Sequence, residues 1–252
     1  MCHADDSRPP LPPVGGAATD QGEMDLSAAD GNTFMAYRAR AGRPSGRGVV
    51  ILPDVRGLHA FYRELADRFA EAGFEAVAMD YFGRTAEDRN RDGSFEFRSH
   101  FEKTRPETIA ADVRACVEYL RTPAGGAPPA LFTVGFCFGG ANSWRQSAEG
   151  HGLAGCMGFY GGSPMSRVGA WIPKMEAPLL MLLAGADAST PAEEFSEFAE
   201  KVRATGTEVE SHTYEGAPHS FFDRSFAEHA AACEDAWRRI LDFTDRHAKV
   251  SV

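Results

Sequence analysis

Three residues of this 252-residue chain have the side chains for one shared reaction: Cys137, Asp187 and His219. A thiol can attack a carbonyl carbon, an imidazole can carry the protons, and a carboxylate can orient and charge that imidazole. Each stands just past a short apolar run. In Leu131-Phe-Thr-Val-Gly-Phe-Cys137-Phe-Gly-Gly140, residues Leu131 to Val134 read as a buried strand that the glycines stop, and Ala141 to Ala148 reads as a helix. Gly135 and Gly139 let strand and helix approach closely around a residue in strained backbone geometry. A helix N-terminus beside the sulfur favours the thiolate, which is the reactive form. Leu179 to Ala184 is a second apolar strand, and it ends at Gly185-Ala-Asp187. His219 follows the strand Val209 to Tyr214 in a Gly/Pro turn. Taken singly, Cys137 could be a buried structural cysteine, Asp187 a loop cap and His219 a surface residue. Together they run in the order nucleophile, acid, histidine, all at strand ends, where catalytic groups collect in parallel sheets.

The elements that must position them alternate between strand and helix. Asp30-Gly-Asn-Thr reads as a hairpin turn with Phe34 to Arg40 as its second strand, and Gly48 to Pro53 is a continuous apolar run typical of a central parallel strand. The loop Asp54-Val-Arg-Gly57 follows it. Phe61 to Gly73 has helical spacing, Ala76 to Met79 is a buried strand, and Pro106 to Leu120 is a helix opened by proline. Arg84 to Arg105 is charged and aperiodic, and reads as a lid or peripheral helical excursion. Pro123 to Pro129 is a loop, Leu153 to Tyr160 a strand, and Ala192 to Thr205 and Phe226 to His247 are helices. This alternation predicts a mostly parallel sheet with helices on both faces. Residues 1–22 are rich in Pro, Gly and Asp and read as an extended arm before a single domain at 23–252. The arm is either untethered or laid across the domain surface. Cys2 and His3 could form half of a metal site, but no second pair at ligand spacing accompanies them.

Composition narrows the function class. At 43% hydrophobic and 25% charged residues, this is an ordinary globular chain. A formal net charge of -10 without a Lys/Arg run argues against nucleic-acid and anionic-membrane partners. Five scattered cysteines with no C-x-x-C pair suggest neither a disulfide framework nor a zinc site, so a reducing cytoplasm fits best. No membrane span and no signal peptide are expected from the sequence, and a monomer or weak homo-oligomer is expected.

The Gly135-Phe-Cys137-Phe-Gly-Gly turn, Gly185-Ala-Asp187 and Tyr214-Glu-Gly-Ala-Pro-His219-Ser-Phe together resemble the dienelactone hydrolase family, over roughly Asp25 to His247. The resemblance implies an α/β-hydrolase fold and no metal or other cofactor. It implies cleavage of a lactone or small carboxylic ester through a Cys137-His219-Asp187 triad and a thioester. The oxyanion would then be held by the N–H groups of Phe138 and Val55. It also implies a loop acid near the cysteine, here Asp54, and arginines for a substrate carboxylate, here Arg84 and, beside Asp223, Arg224. The competing reading for both arginines is surface solvation or pairing with Asp54 or Asp223. Tyr160 either lines the pocket or belongs to the core. Two other functions stay open: a non-catalytic small-molecule binding or electrophile- or redox-sensing protein on the same fold, and acyl transfer to a nucleophile other than water.

Overall fold

The computed structural model describes residues 3–248, and its sheet starts with an antiparallel hairpin, β1 (Ala18–Ser27) and β2 (Thr33–Ala41). The Asp30 carboxylate accepts the Asn32 N–H at 3.2 Å in the intervening turn, where Gly31 has φ +87°. Six further strands follow: β3 (Arg47–Leu52), β4 (Phe74–Met79), β5 (Ala130–Phe136), β6 (Gly155–Phe159), β7 (Leu179–Ala184) and β8 (Val209–Tyr214). The sheet order is β1-β2-β4-β3-β5-β6-β7-β8, with β2 antiparallel to β4 and every later pairing parallel. Every residue of β3, β4 and β5 is buried, because a parallel sheet is covered on both faces.

Alternate residues of the central strands serve two opposed layers. Val49, Ile51, Phe132 and Val134 meet α1 (Ala60–Glu71) and α7 (Ala230–Ala248) through Phe61, Leu65, Phe69, Trp237 and Ile240. On the other face Val50, Leu52 and Val77 meet α3 (Pro106–Leu120). Leu179, Met181 and Leu183 meet Phe198 and Val202 of α6 (Ala192–Ala204) on that same side. This is the expected α/β-hydrolase arrangement, and the carboxyl ends of β3, β5, β7 and β8 open toward one edge. No helix among the described residues is long and apolar enough to cross a membrane.

The differences from the sequence reading have local causes. Strand β1 begins at Ala18, inside the segment read as an arm; it is an edge strand with mostly exposed polar residues, so it carries no apolar signature. Helix α4 (Phe138–Arg145) starts immediately after Cys137 rather than at Ala141, so the glycines read as a turn are already helical. The charged excursion 84–105 is mostly irregular around one short helix, α2 (Arg98–Phe101). The buried Arg91–Asp80 ion pair at 3.0 Å anchors it, and Phe101 packs edge-on to Phe138 with ring centres 4.9 Å apart.

The N-terminal segment is docked. Cys2 lies outside the described residues, but the His3 ring is buried, stacks on Phe61 at 3.6 Å between ring centres and bonds the Tyr160 hydroxyl at 3.1 Å. Arg56 donates to the His3 carbonyl and pairs with Asp5, the Arg8 N–H donates to Asp223 at 3.0 Å, and Trp237 donates to the Pro10 carbonyl at 3.0 Å. A proline-rich segment loses little entropy on docking, so a few such anchors suffice.

Candidate active site

Strand β5 delivers Cys137 into a backbone conformation that side chains rarely adopt, φ +56° and ψ −115°. The turn closes through Cys137 N–H to the Phe159 carbonyl at 3.0 Å and Gly140 N–H to the Cys137 carbonyl at 2.9 Å. Only glycine fits on either side of it. A Cβ on Gly135 would fall on the Gly139 carbonyl, and one on Gly139 would fall on the carbonyls of Leu52 and Pro53. That close approach of α4 to the end of β3 brings the Val55 loop beside the sulfur.

Strand β7 ends in the turn that carries Asp187, whose Oδ1 accepts the Ser189 N–H at 3.0 Å and whose Oδ2 bonds Nδ1 of His219. His219 comes from the turn after β8. Its ring lies 4.8 Å from that of Tyr160, and its side chain also bonds Cys137. Burial acts to lower the His219 pKa, but the bond and charge of Cys137, then those of Asp187, outweigh it and push the pKa up to about 9. Burial likewise works against ionisation of Asp187, yet the bonds from His219 and Ser189 hold it below its usual range. At neutral pH the raised value favours the cationic imidazole, placed between the Asp187 carboxylate and the Cys137 sulfur. Left-handed backbone clusters here as well, at Cys137, Tyr160, Ser163 and Ser220, all held by surrounding structure.

The other described cysteines behave oppositely. Burial pushes Cys156 up to about 12 and Cys233 up to about 11, and raises Cys116 well above its ordinary value, so these thiols stay protonated. Cys137 alone among them is half-exposed, in a cleft of about 460 Å³ that it shares with Val55, Phe138, Asp187 and His219. Val55 and Phe138 both line that cleft, and among the described residues no acceptor is found for the backbone N–H of either.

The remaining sequence candidates fall elsewhere. Arg84 pairs with Asp30 at 2.7 Å and Asp112 at 2.8 Å and does not line the cleft. Arg224 pairs with Glu64 at 2.8 Å, also outside it. Neither partner is the one anticipated. Asp54 is fully buried, accepts the Arg56 N–H at 2.8 Å and faces His59 at 3.5 Å. Burial opposes its charge, but His59, His3 and the Arg56 N–H hold it below the usual carboxylate range, so it is a buried counter-ion and not a cleft-lining contact. Tyr160 is buried behind His219 rather than exposed to the cleft. Asp223 bonds the N–H groups of Arg8 and Ser225.

Arg167 is the charged lining residue that sequence reasoning missed, alongside Gly162, Ser163, Ser189 and Thr190. It lies on α5 (Pro164–Val168), a five-residue helix too short for a periodic signal, with its guanidinium 5.9 Å from the centre of the Phe138 ring. Only Pro164, a common first helical residue, hinted at a helix there. As for metal ligands, the group found among the described residues is Glu208, Glu210 and His247, whose ligand atoms lie within 4.8 Å of one another, away from the cleft.

The dienelactone hydrolase family model matches residues 34–248. A carboxymethylenebutenolidase from Pseudomonas putida is 27% identical over 230 residues, 87% of this chain and 94% of that protein. A structure assigned as a dienelactone hydrolase from Klebsiella pneumoniae subsp. pneumoniae superposes with TM-score 0.75 at 25% identity, covering 90% of this chain and 99% of the other. A Pyrococcus furiosus esterase shares the fold at TM-score 0.67 and 16% identity, covering 95% of this chain and 98% of the other.

Proposed function

The chain belongs to the dienelactone hydrolase family, and from that premise we propose that it cleaves a lactone or small carboxylic ester with Cys137 as nucleophile, His219 as proton carrier and Asp187 as the group orienting it. The observation that carries this is the continuous path from Asp187 through His219 to Cys137 at the floor of one cleft.

The resting pair is a thiolate and an imidazolium. The thiolate attacks the carbonyl carbon, a C–S bond forms, and the negative charge moves to the carbonyl oxygen. The free N–H groups of Val55 and Phe138 support an oxyanion there; losing one such donor typically costs about a hundredfold or more in rate. The C–O bond then breaks and His219 gives its proton to the departing alkoxide. Now neutral, His219 takes a proton from water as the hydroxyl adds to the thioester carbonyl. The C–S bond breaks, the carboxylic acid leaves, and the thiolate–imidazolium pair is restored. Asp187 keeps one imidazole nitrogen bonded throughout, so the other stays aimed at the reacting atoms.

The test is stopped-flow turnover of a 4-nitrophenyl ester and an unsaturated lactone, with mass spectrometry of the quenched enzyme. Steady turnover through an acyl adduct on Cys137, abolished in a folded Cys137→Ala variant, is expected. A burst that ends at one equivalent would replace hydrolysis with an electrophile-trapping role. Turnover retained in Cys137→Ala would remove the mechanism.

A further inference from the structure

We propose that the N-terminal segment 3–8 is a working part of the active site: it clamps the loop of Val55 to the loop of His219, and His3 is a positioning residue for the His219 imidazole, acting through Tyr160. The inference rests on the hydrolase reading above. It adds a component outside the family match, which begins at residue 34.

One end of the segment holds the loop after β3. Arg56 follows Val55, and its guanidinium donates to the His3 carbonyl and pairs with the Asp5 carboxylate. The Arg56 N–H is fixed in turn by the buried Asp54 carboxylate at 2.8 Å. Val55 therefore lines the cleft from a short loop whose next side chain is tied to the segment. The other end holds the loop after β8. The Arg8 N–H donates to Asp223 Oδ1 at 3.0 Å, and the Arg224 N–H donates to the Arg8 carbonyl at 2.9 Å, a reciprocal pair just beyond His219. One short stretch of chain thus joins two loops that leave different strands.

Between these anchors the His3 ring turns inward. It is buried, stacks on Phe61 with ring centres 3.6 Å apart and faces Asp223 with one nitrogen at 3.9 Å. Its other nitrogen bonds the Tyr160 hydroxyl at 3.1 Å. Tyr160 lies behind His219, with ring centres 4.8 Å apart at a tilt of 53°. The Tyr160 backbone is left-handed, φ +36°, and its N–H donates to the Leu182 carbonyl at 2.9 Å. Its ring is therefore held at the root by the sheet and at the hydroxyl by His3. Asp187 fixes one imidazole nitrogen of His219 but still allows the ring to swing about that bond, and the Tyr160 ring limits the swing. A directed bond to a buried hydroxyl sets an aromatic ring more narrowly than packing does. The segment does not itself line the cleft, so its effect falls on the chemical steps and not on substrate binding.

The experiment measures kcat and KM for 4-nitrophenyl hexanoate, alongside thermal melts, in full-length His3→Phe and His3→Gln. Phenylalanine keeps the stack on Phe61 and loses the bond to Tyr160; glutamine keeps a hydrogen-bonding group and loses the stack. In His3→Phe kcat is expected to fall about tenfold with KM held within about twofold, the scale of a small misplacement of a reacting group. The alkaline limb of kcat/KM should move below about pH 9. His3→Gln should retain more of kcat than His3→Phe, whichever melts higher. Asp5→Asn alters an exposed carboxylate and reads the clamp without touching the core. Its kcat should fall about threefold, the order of one exposed ion pair, and added salt should bring the wild type toward it. Alkylation of Cys137 by iodoacetamide across pH, followed by mass spectrometry, reads the thiol–imidazole pair independently of turnover. Activities that track melting temperature across the His3 variants, or a kcat unmoved in both His3→Phe and Asp5→Asn, overturn the proposal and leave hydrolysis in place. A wild type that turns over no ester, with a Cys137 alkylation profile that shifts in His3→Phe, upholds the clamp and refutes hydrolysis.

Discussion

Replacing Asp187 by asparagine isolates the electrostatic step on which the proposed mechanism depends. His219 rises from the ordinary 6.5 to about 9, a difference of about 2.5 pH units, or a preference for imidazolium of about 300-fold. Burial opposes that preference, so Cys137 and Asp187 supply all of it, with the Cys137 contribution the larger. Loss of Asp187 should therefore lower the His219 pKa from about 9, by less than loss of Cys137 does. For a group raised in the folded state, the protonated form is fully present below 6.5 and is lost as pH climbs through the folded value. The alkaline limb of kcat/KM, which reports the free enzyme, should therefore fall near pH 9 in the wild type and at a lower pH in Asp187→Asn. Turnover at pH 7 should drop at least tenfold, because the imidazole also loses the bond that orients it. The assay is the pH profile with 4-nitrophenyl hexanoate, paired with NMR titration of His219 in wild type, Asp187→Asn and Cys137→Ala. The largest downward move of the His219 pKa belongs to Cys137→Ala. An alkaline limb that stays at 9 in Asp187→Asn, or a His219 pKa indifferent to removal of the thiol, would refute the ion-pair reasoning.

Gly139→Ala places a methyl group on the Leu52 and Pro53 carbonyls, so α4 must retreat from β3; about 1–3 kcal/mol of stability and most of the esterase rate should go, read by urea melts and turnover. His3→Ala removes a fully buried ring stacked on Phe61 and the partner of the Tyr160 hydroxyl, and should cost about 2–4 kcal/mol in chemical denaturation. Burial depresses the His3 pKa despite the nearby Asp223 and Asp54 carboxylates, with His59 adding to the depression. The unfolded chain therefore binds the extra proton first, and stability should decline as pH falls below about 6.5, less steeply in His3→Ala. Arg84→Gln leaves the buried Asp112 with the Asn32 amide at 3.0 Å but no charged partner, so it should lower the melting temperature while kcat/KM for the 4-nitrophenyl monoester of adipic acid holds. A collapse of that value in Arg84→Gln would restore Arg84 as a substrate contact.

The sequence by itself determined the buried parallel strands and the candidate trio at their ends. Runs such as Val49 to Leu52 and Leu179 to Leu183 are apolar throughout because parallel strands are buried on both faces, and that pattern is local. Cys137, Asp187 and His219 were legible for the same reason: each follows such a run directly, and parallel strands in one sheet carry their carboxyl ends to one edge. Polar elements were not legible. Strand β1 is held by pairing with β2 at an exposed edge, which leaves no apolar trace, and α5 is too short to show a period. Only the tertiary structure could decide the fate of the arginines, because a charge is satisfied by whatever lies across space from it. Arg84 meets Asp30 and Asp112 at separations of 54 and 28 residues, and Arg224 meets Glu64 across 160. The same long-range pairing docks His3 against Tyr160 across 157 residues, and it leaves Arg167 facing the cleft with no described ion-pair partner. Strand periodicity is written in neighbours two residues apart; the partner of a charge is set only when the chain has closed on itself.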